Sequence, residues 1–225
     1  MKNTSSVMAA LAVILLLTLA GCRNPPPSTA IKTDSPALRG IKSWVAAGAG
    51  PCNTRFTGSL TRGTQSSAVI GHLDLINAYR FTLAVQSTDG QCAFVLHRNW
   101  AGAHYFVQPH PAYAALAKAI GTGVFLAFRR PEGPWHAAVK AGADVVVYKG
   151  ANDNRFQWNF MADGKGLLLT HLRVQTPSGP VYVITFNTPS AKGKDSIDIS
   201  DSALHFVLHL RLHNNSEACL NTRIP

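Results

Sequence analysis

Histidines and carboxylates are the side chains here best suited to acid–base or metal chemistry, and their spacing decides how far that chemistry goes. The chain has nine His and eleven Asp+Glu in 225 residues. His205, His209 and His213 recur at every fourth position. On a helix they would stack on one face and invite a metal ion. On a strand, positions four apart lie about 13 Å from one another, too far to share one ion. The local pattern chooses the strand. Leu204, Phe206, Leu208, Leu210 and Leu212 alternate with His205, Val207, His209, Arg211 and His213, the period of a half-buried strand. No metal site is expected there. The densest other cluster is His97, His104 and His110, with Asn99, Trp100 and Tyr105 nearby. These three histidines are the candidate catalytic residues, a general base or ligand set at one end of adjacent strands. The plainer expectation is that they sit on a polar rim.

Carboxylates give that cluster little support. A glycosidase needs two of them facing each other. Asp89 and Asp163 stand in Asp-Gly turns, Asp153 stands in Asn-Asp-Asn, and Asp195, Asp198 and Asp201 share one polar connection. Most of the carboxylates therefore read as turn residues. The chain contains no Gly-x-Ser-x-Gly, no phosphate-binding Gly-x-x-x-x-Gly-Lys-Ser/Thr, no His-Glu-x-x-His and no Gly-x-Gly-x-x-Gly, so none of those chemistries is signalled. Neither a cofactor nor a metal is expected. The basic loop Lys192-Gly-Lys194 reads as a solvated loop.

The N-terminus carries the most specific signal. Val7 to Ala20 is an apolar run broken only by Thr18. A bilayer span needs roughly 20 residues, so the run suits a secretory signal better. It ends in Leu19-Ala20-Gly21-Cys22, which resembles the lipobox of bacterial lipoproteins. The resemblance covers residues 1–22 alone, and no family is recognised for the rest. It implies cleavage before Cys22, diacylation of the Cys22 sulfur and acylation of the new amine. Several acyl chains anchor stably where one is marginal. Arg23 follows the cysteine. The absence of Asp there implies the outer membrane, under the sorting rule of enteric-type bacteria. The expected organisation is a signal peptide over 1–21, a lipidated Cys with a flexible tether over 22–51, and one β-rich domain over 52–225. The tether is Pro-rich through Pro36 and ends in Ala46-Ala-Gly-Ala-Gly-Pro51, a composition that favours extended or flexible chain.

Three cysteines remain beyond Cys22. Cys52, Cys92 and Cys219 permit one bridge and leave one thiol over. Cys52 and Cys219 flank the first and last expected strands, and bridging them would tie the domain ends together. Cys92 is the alternative partner of either. A disulfide suits the oxidising compartment that an export signal implies.

The net charge is +10 from 21 basic and 11 acidic residues, with only 14% of residues charged, against about 25% in a typical domain. The surplus is a shortage of acids. Nucleic acid is not an expected partner for an exported chain. An anionic envelope component or an envelope protein is, besides the membrane held through the lipid.

The elements that must position these residues are mostly strands. The expected runs are Phe56–Arg62, Arg80–Ser87, Cys92–Arg98, His104–Gln108, Val124–Arg130, Asp144–Lys149, Arg155–Phe160, Leu167–Thr176, Val181–Asn187 and Leu204–His213. One helix is expected over Ala112–Ile120, opened by Pro111 and closed by Gly121, and a second short one over Pro134–Ala141. The fold class is therefore mainly β (α+β), an antiparallel sandwich or partly open barrel of about ten short strands. The expected function is a membrane-anchored envelope lipoprotein with a non-enzymatic binding or scaffold role, of the kind found in a secretion or surface assembly. The alternative is a lipid-anchored envelope hydrolase using a histidine-containing site.

Overall fold

The computed structural model describes residues 42, 45–46, 48–131, 137–141, 145–149, 156–163, 169–187, 196–213 and 219. Cys22, the apolar run before it, the Pro-rich tether and the Lys192–Lys194 loop lie outside the described residues.

Among the described residues, twelve antiparallel strands form one sheet. In chain order they are β1 (Cys52–Arg62), β2 (Gln65–Asn77), β3 (Arg80–Ser87), β4 (Ala93–Asn99), β5 (Gly102–Val107), β6 (Ala137–Ala141), β7 (Val145–Lys149), β8 (Gln157–Asp163), β9 (Leu169–Gln175), β10 (Val181–Asn187), β11 (Ser196–Asp201) and β12 (Phe206–His213). Their spatial order is 5-4-3-2-1-12-11-10-9-8-7-6. Each strand pairs with its sequence neighbour except at two places. β1 pairs with β12, with Gly58 opposite Leu210, and the meander opens between β5 and β6. A helical segment follows β5 into that opening: a 3₁₀ turn (Pro111–Tyr113) and the helix α1 (Ala114–Phe128). The single open sheet selects the partly open barrel over the sandwich.

Local chemistry explains most of these elements. In β1, Cys52, Thr54, Phe56 and Leu60 are buried while Asn53, Arg55 and Thr57 are exposed. The same alternation buries Phe206, Leu208, Leu210 and Leu212 of β12. Between β3 and β4, Gly90 adopts φ +70°, a conformation that favours glycine, and the Asp89 carboxylate accepts the Gln91 N–H at 3.0 Å. Between β9 and β10, Gly179 N donates to the Thr176 carbonyl at 3.1 Å and Thr176 N to the Pro180 carbonyl at 2.9 Å, closing the expected hairpin.

Four expectations change. The helix does not end at Gly121; it runs to Phe128 and absorbs the strand expected over Val124–Arg130. Glycine there serves packing rather than termination. A Cβ on Gly121 would stand 2.4 Å from Leu96 Cδ2, and one on Gly123 would stand 2.4 Å from Ile199 Cγ2. Missing side chains let the helix lie against the sheet. Second, Ala137–Ala141 is strand β6, paired with β7, where a helix was expected. Third, β2 and β11 were not expected. Asp198 and Asp201 belong to β11, whose Ile197 and Ile199 point into the core. Its outward Ser and Asp residues disguise a six-residue strand as a polar connection. Fourth, β12 begins at Phe206, and His205 sits in the preceding turn at φ +51°.

The core lies between the inner face of the sheet and α1. Eleven of the fifteen α1 residues are buried, so the apolar helical segment Pro111–Phe128 is a core helix. The inner face contributes Phe56, Leu83 and Phe94 from one half, and Trp158, Phe160 and Ile184 from the other. The gap among Leu73, Leu83, Val124 and Ile199 is only about 10 Å³, at the lower limit for one water. At that gap the inside of the barrel is filled by side chains, not hollow. Arg130 closes the helix, its Nη1 donating to the Phe128 carbonyl at 3.0 Å and the Ala127 carbonyl at 3.4 Å, a favourable place for a cation. Cys52 and Cys219 are joined by a disulfide with Cα atoms 5.3 Å apart. Among the described residues Cys92 is the free thiol; it is buried, and burial pushes its pKa up.

Candidate functional site

The three candidate histidines do not form one site. His97 on β4 and His104 on β5 are register partners. Their ring centroids are 5.1 Å apart, with Phe106 at 5.6 Å and 6.0 Å respectively. The pair lies on the outer face, away from α1. His97 Nδ1 bonds the Thr82 hydroxyl at 3.1 Å, and Thr82 in turn pairs with Asp74. A threonine thus stands where a carboxylate would orient a general base. His110 is elsewhere in role: its Nδ1 accepts the Ala112 N–H at 3.3 Å and caps the 3₁₀ turn. Among the described residues no three His, Cys, Asp or Glu side chains converge as a metal site would require.

One other row has the residue types of hydrolytic chemistry. His209 Nδ1 lies 2.5 Å from Asp198 Oδ1, and the Asn187 amide donates to Asp198 Oδ2 at 2.8 Å. Ser59 is the register partner of His209 on the far side. Asp198, His209 and Ser59 therefore cross β11, β12 and β1 in the order of an acyl-transfer triad. Such chemistry also needs donors aimed at an oxyanion. The backbone N–H groups of these interior strands are committed to the ladders on both sides, and the row lies on an open sheet face. The arrangement is a half-exposed His–Asp hydrogen bond beside a serine.

A broad concave feature lies on the same outer face, over β1–β5. It is a trough of about 690 Å³. One wall is the cross-strand row His213, Arg55, His72, Ala84, Val95 and Val107; the other is Thr57, Ile70, Gln86 and Ala93. Between the walls run Phe56, Gly71, Val85 and Phe94, one row whose members face the core. Its floor is therefore backbone already hydrogen-bonded in the ladders, so an apolar group resting there strands no polar atom. Ile70 and Val107 are each 49% exposed and the neighbouring Phe106 is 70% exposed, on a face where alternation calls for polar residues. On the β12–β2 side, where Ile70 also lies, the trough meets Arg55 and His72, with His213 Nε2 held 2.8 Å from Thr57 Oγ1.

A second hollow, about 420 Å³, is polar and sits beside the β3–β4 turn, lined in part by Arg62, Ser67, Asp89 and Tyr113. Ser67 donates to Asp89 Oδ2 at 2.6 Å, Ser87 donates to Oδ1, and Tyr113 donates to Gln91. The serines, then the Gln91 N–H, hold the Asp89 carboxyl down at about 2. Its hydrogen-bonding capacity goes into building the turn.

No protein-family model matches the chain, and no curated protein does. Among solved structures it is similar to a domain from Vibrio parahaemolyticus provisionally described as outer membrane lipoprotein-sorting. Identity is 11% and the TM-score 0.42, over 81% of this chain and 96% of that one. That is too distant to bear on fold or function here.

Sequence reasoning found the histidines and missed the trough. Its walls come from six strands, and no linear motif spans them. The available signal was the run of outward positions filled by Ile70, Ala84, Val95 and Val107, set among polar outward residues such as His72, Asp74, Thr82, Gln86 and His97.

Proposed function

We propose that this protein is a lipid-anchored bacterial envelope protein with a non-enzymatic binding role, held at the outer membrane through Cys22. The observation that carries the binding role is the trough. A strand face open to solvent keeps an apolar channel with a cationic end, where a purely structural face would be polar. Leu19-Ala20-Gly21-Cys22 supplies the anchor, and the Cys52–Cys219 bridge fits an exported domain. The neutral-to-basic surface fits an anionic envelope component.

The anchor is tested by Cys22→Ser in the full chain. The wild type should be processed, incorporate labelled palmitate, partition into detergent and fractionate with the outer membrane. The variant should stay unprocessed, take up no palmitate and lose its detergent partitioning as a mature protein. Normal processing and membrane retention of the variant would refute the reading.

A further inference from the structure

We propose that the trough across β1–β5 binds a long-chain fatty acid, with the carboxylate at Arg55 and His72 and the chain lying over Ala84, Val95 and Val107. The inference rests on the binding role above and names its ligand.

Three observations select this chemistry. The first is polarity along the trough. The wall row begins with His213, Arg55 and His72 on β12, β1 and β2, and continues with Ala84, Val95 and Val107 on β3, β4 and β5. Along this wall one end is basic and the other apolar, as a single-chain anionic amphiphile requires, while the opposite wall sets Ile70 beside the basic end and Gln86 midway. No carboxylate lines it. Asp74, the next outward residue of β2 after His72, lies outside the lining, with Asn53 and Thr82 as its cross-strand register partners. An exposed guanidinium presents the fork that a carboxylate accepts in two parallel bonds.

The second is dimension. From Arg55 on β1 to Val107 on β5 is four strand spacings, roughly 19 Å at about 4.8 Å each, the reach of an extended long acyl chain. The small side chains of Ala84 and Ala93 keep the middle of the trough low. Its 690 Å³ falls among the volumes of small-molecule sites, about 300–1,000 Å³. The third is the floor. A backbone whose polar groups are satisfied in the ladders can be covered by methylene groups without a stranded hydrogen bond. A bound peptide would bring backbone groups of its own that this floor cannot pair.

The test uses the full-length protein in membranes of the cells that make it. Three probes carry the same terminal diazirine: hexadecanoate, hexadecanol and a diacyl phosphatidylglycerol. After photolysis, labelled tryptic peptides are mapped by mass spectrometry. Hexadecanoate should label the peptides 81–98 and 99–118, which carry Ala84, Val95 and Val107, in preference to those from β9 to β12. Hexadecanol should label them roughly tenfold less, the worth of one charge-assisted hydrogen bond. Arg55→Gln should bring the acid down to the level of the alcohol. Ala84→Trp, which fills the trough from an outward position, should abolish labelling. Ala93→Trp does the same from the other wall and serves if the first variant fails to fold, as judged by thermal melting. Equal labelling by acid and alcohol, labelling untouched by both tryptophans, or labelling by the phosphatidylglycerol probe in place of the acid would overturn the proposal. Detergent partitioning of Cys22→Ser reports on the anchor alone and the label on the trough alone, so either can fail separately.

Discussion

The two halves of the sheet share an inner face and differ on the outer one. In β1–β5 and in β8–β12 the inward residues are equally buried: Phe81 and Phe94 on one side, Trp158 and Phe160 on the other. Outward, β10–β12 bind their polar groups to one another, as Asn187, Asp198 and His209 do. The outward positions of β2, β4 and β5 leave Ile70, Val95 and Val107 beside a trough. One alternating pattern thus builds a hydrogen-bonded polar row across β10–β12, beside the exposed Val207, and an apolar trough across β1–β5. Packing fixes the inner face, so only the outer positions were free to diverge.

That contrast can be broken at its joint first. The halves meet where β1 pairs with β12, and the Cys52–Cys219 bridge closes a separation of 167 residues there. Cys52→Ser should lower stability by up to about 5 kcal/mol in the chain-entropy model, measured by denaturant unfolding with and without reductant. A reductant-insensitive wild type would show that the bridge does not hold the joint. Next, if the inner faces are equivalent, Phe81→Ala and Phe160→Ala should each cost about 3–5 kcal/mol. A large difference in their unfolding midpoints would mean the halves do not share one core. Gly123→Val should cost about 1–3 kcal/mol by forcing α1 off Ile199, read in the same assay.

Outer-face changes should be smaller. Asp198→Asn should cost no more than about 1 kcal/mol, because the Asp198 and His209 side chains are 33% and 38% exposed. Val95→Thr should leave stability within about 0.5 kcal/mol while weakening hexadecanoate labelling of the trough. Asp89 gives the pH dependence. Its folded pKa is depressed from 3.8 to about 2. The contribution is therefore fully present above pH 3.8 and disappears as pH falls through that window. Asp89→Asn should flatten this part of the acid limb in melts recorded above and below it, and an unchanged slope would assign the acid sensitivity to other groups.

How much was legible follows from what each residue reports. Arg80–Ser87 and Val181–Asn187 were bounded to the residue, since β-branched and aromatic side chains alternate there between clear turn signals. Gly121 misled because glycine punctuates helices when exposed and admits close packing when buried, and burial is not written locally. Ser196–Asp201 was missed because its apolar positions are two isoleucines among hydroxyls and carboxylates. His97 and His104 were rightly suspected of neighbouring each other, but their distance in sequence does not show that Thr82 rather than an acid backs them.

The sequence alone determined the strand period, the turns, the shortage of acids, the single spare cysteine and the export-like N-terminal signal. Each is a property of consecutive residues. Tertiary structure alone decided that β1 closes on β12, that α1 fills the barrel, and that outward residues from six strands line one trough. Those depend on which distant segments pair, and pairing register places Arg55 beside His72 and Val95 beside Val107 with no trace in the order of the chain.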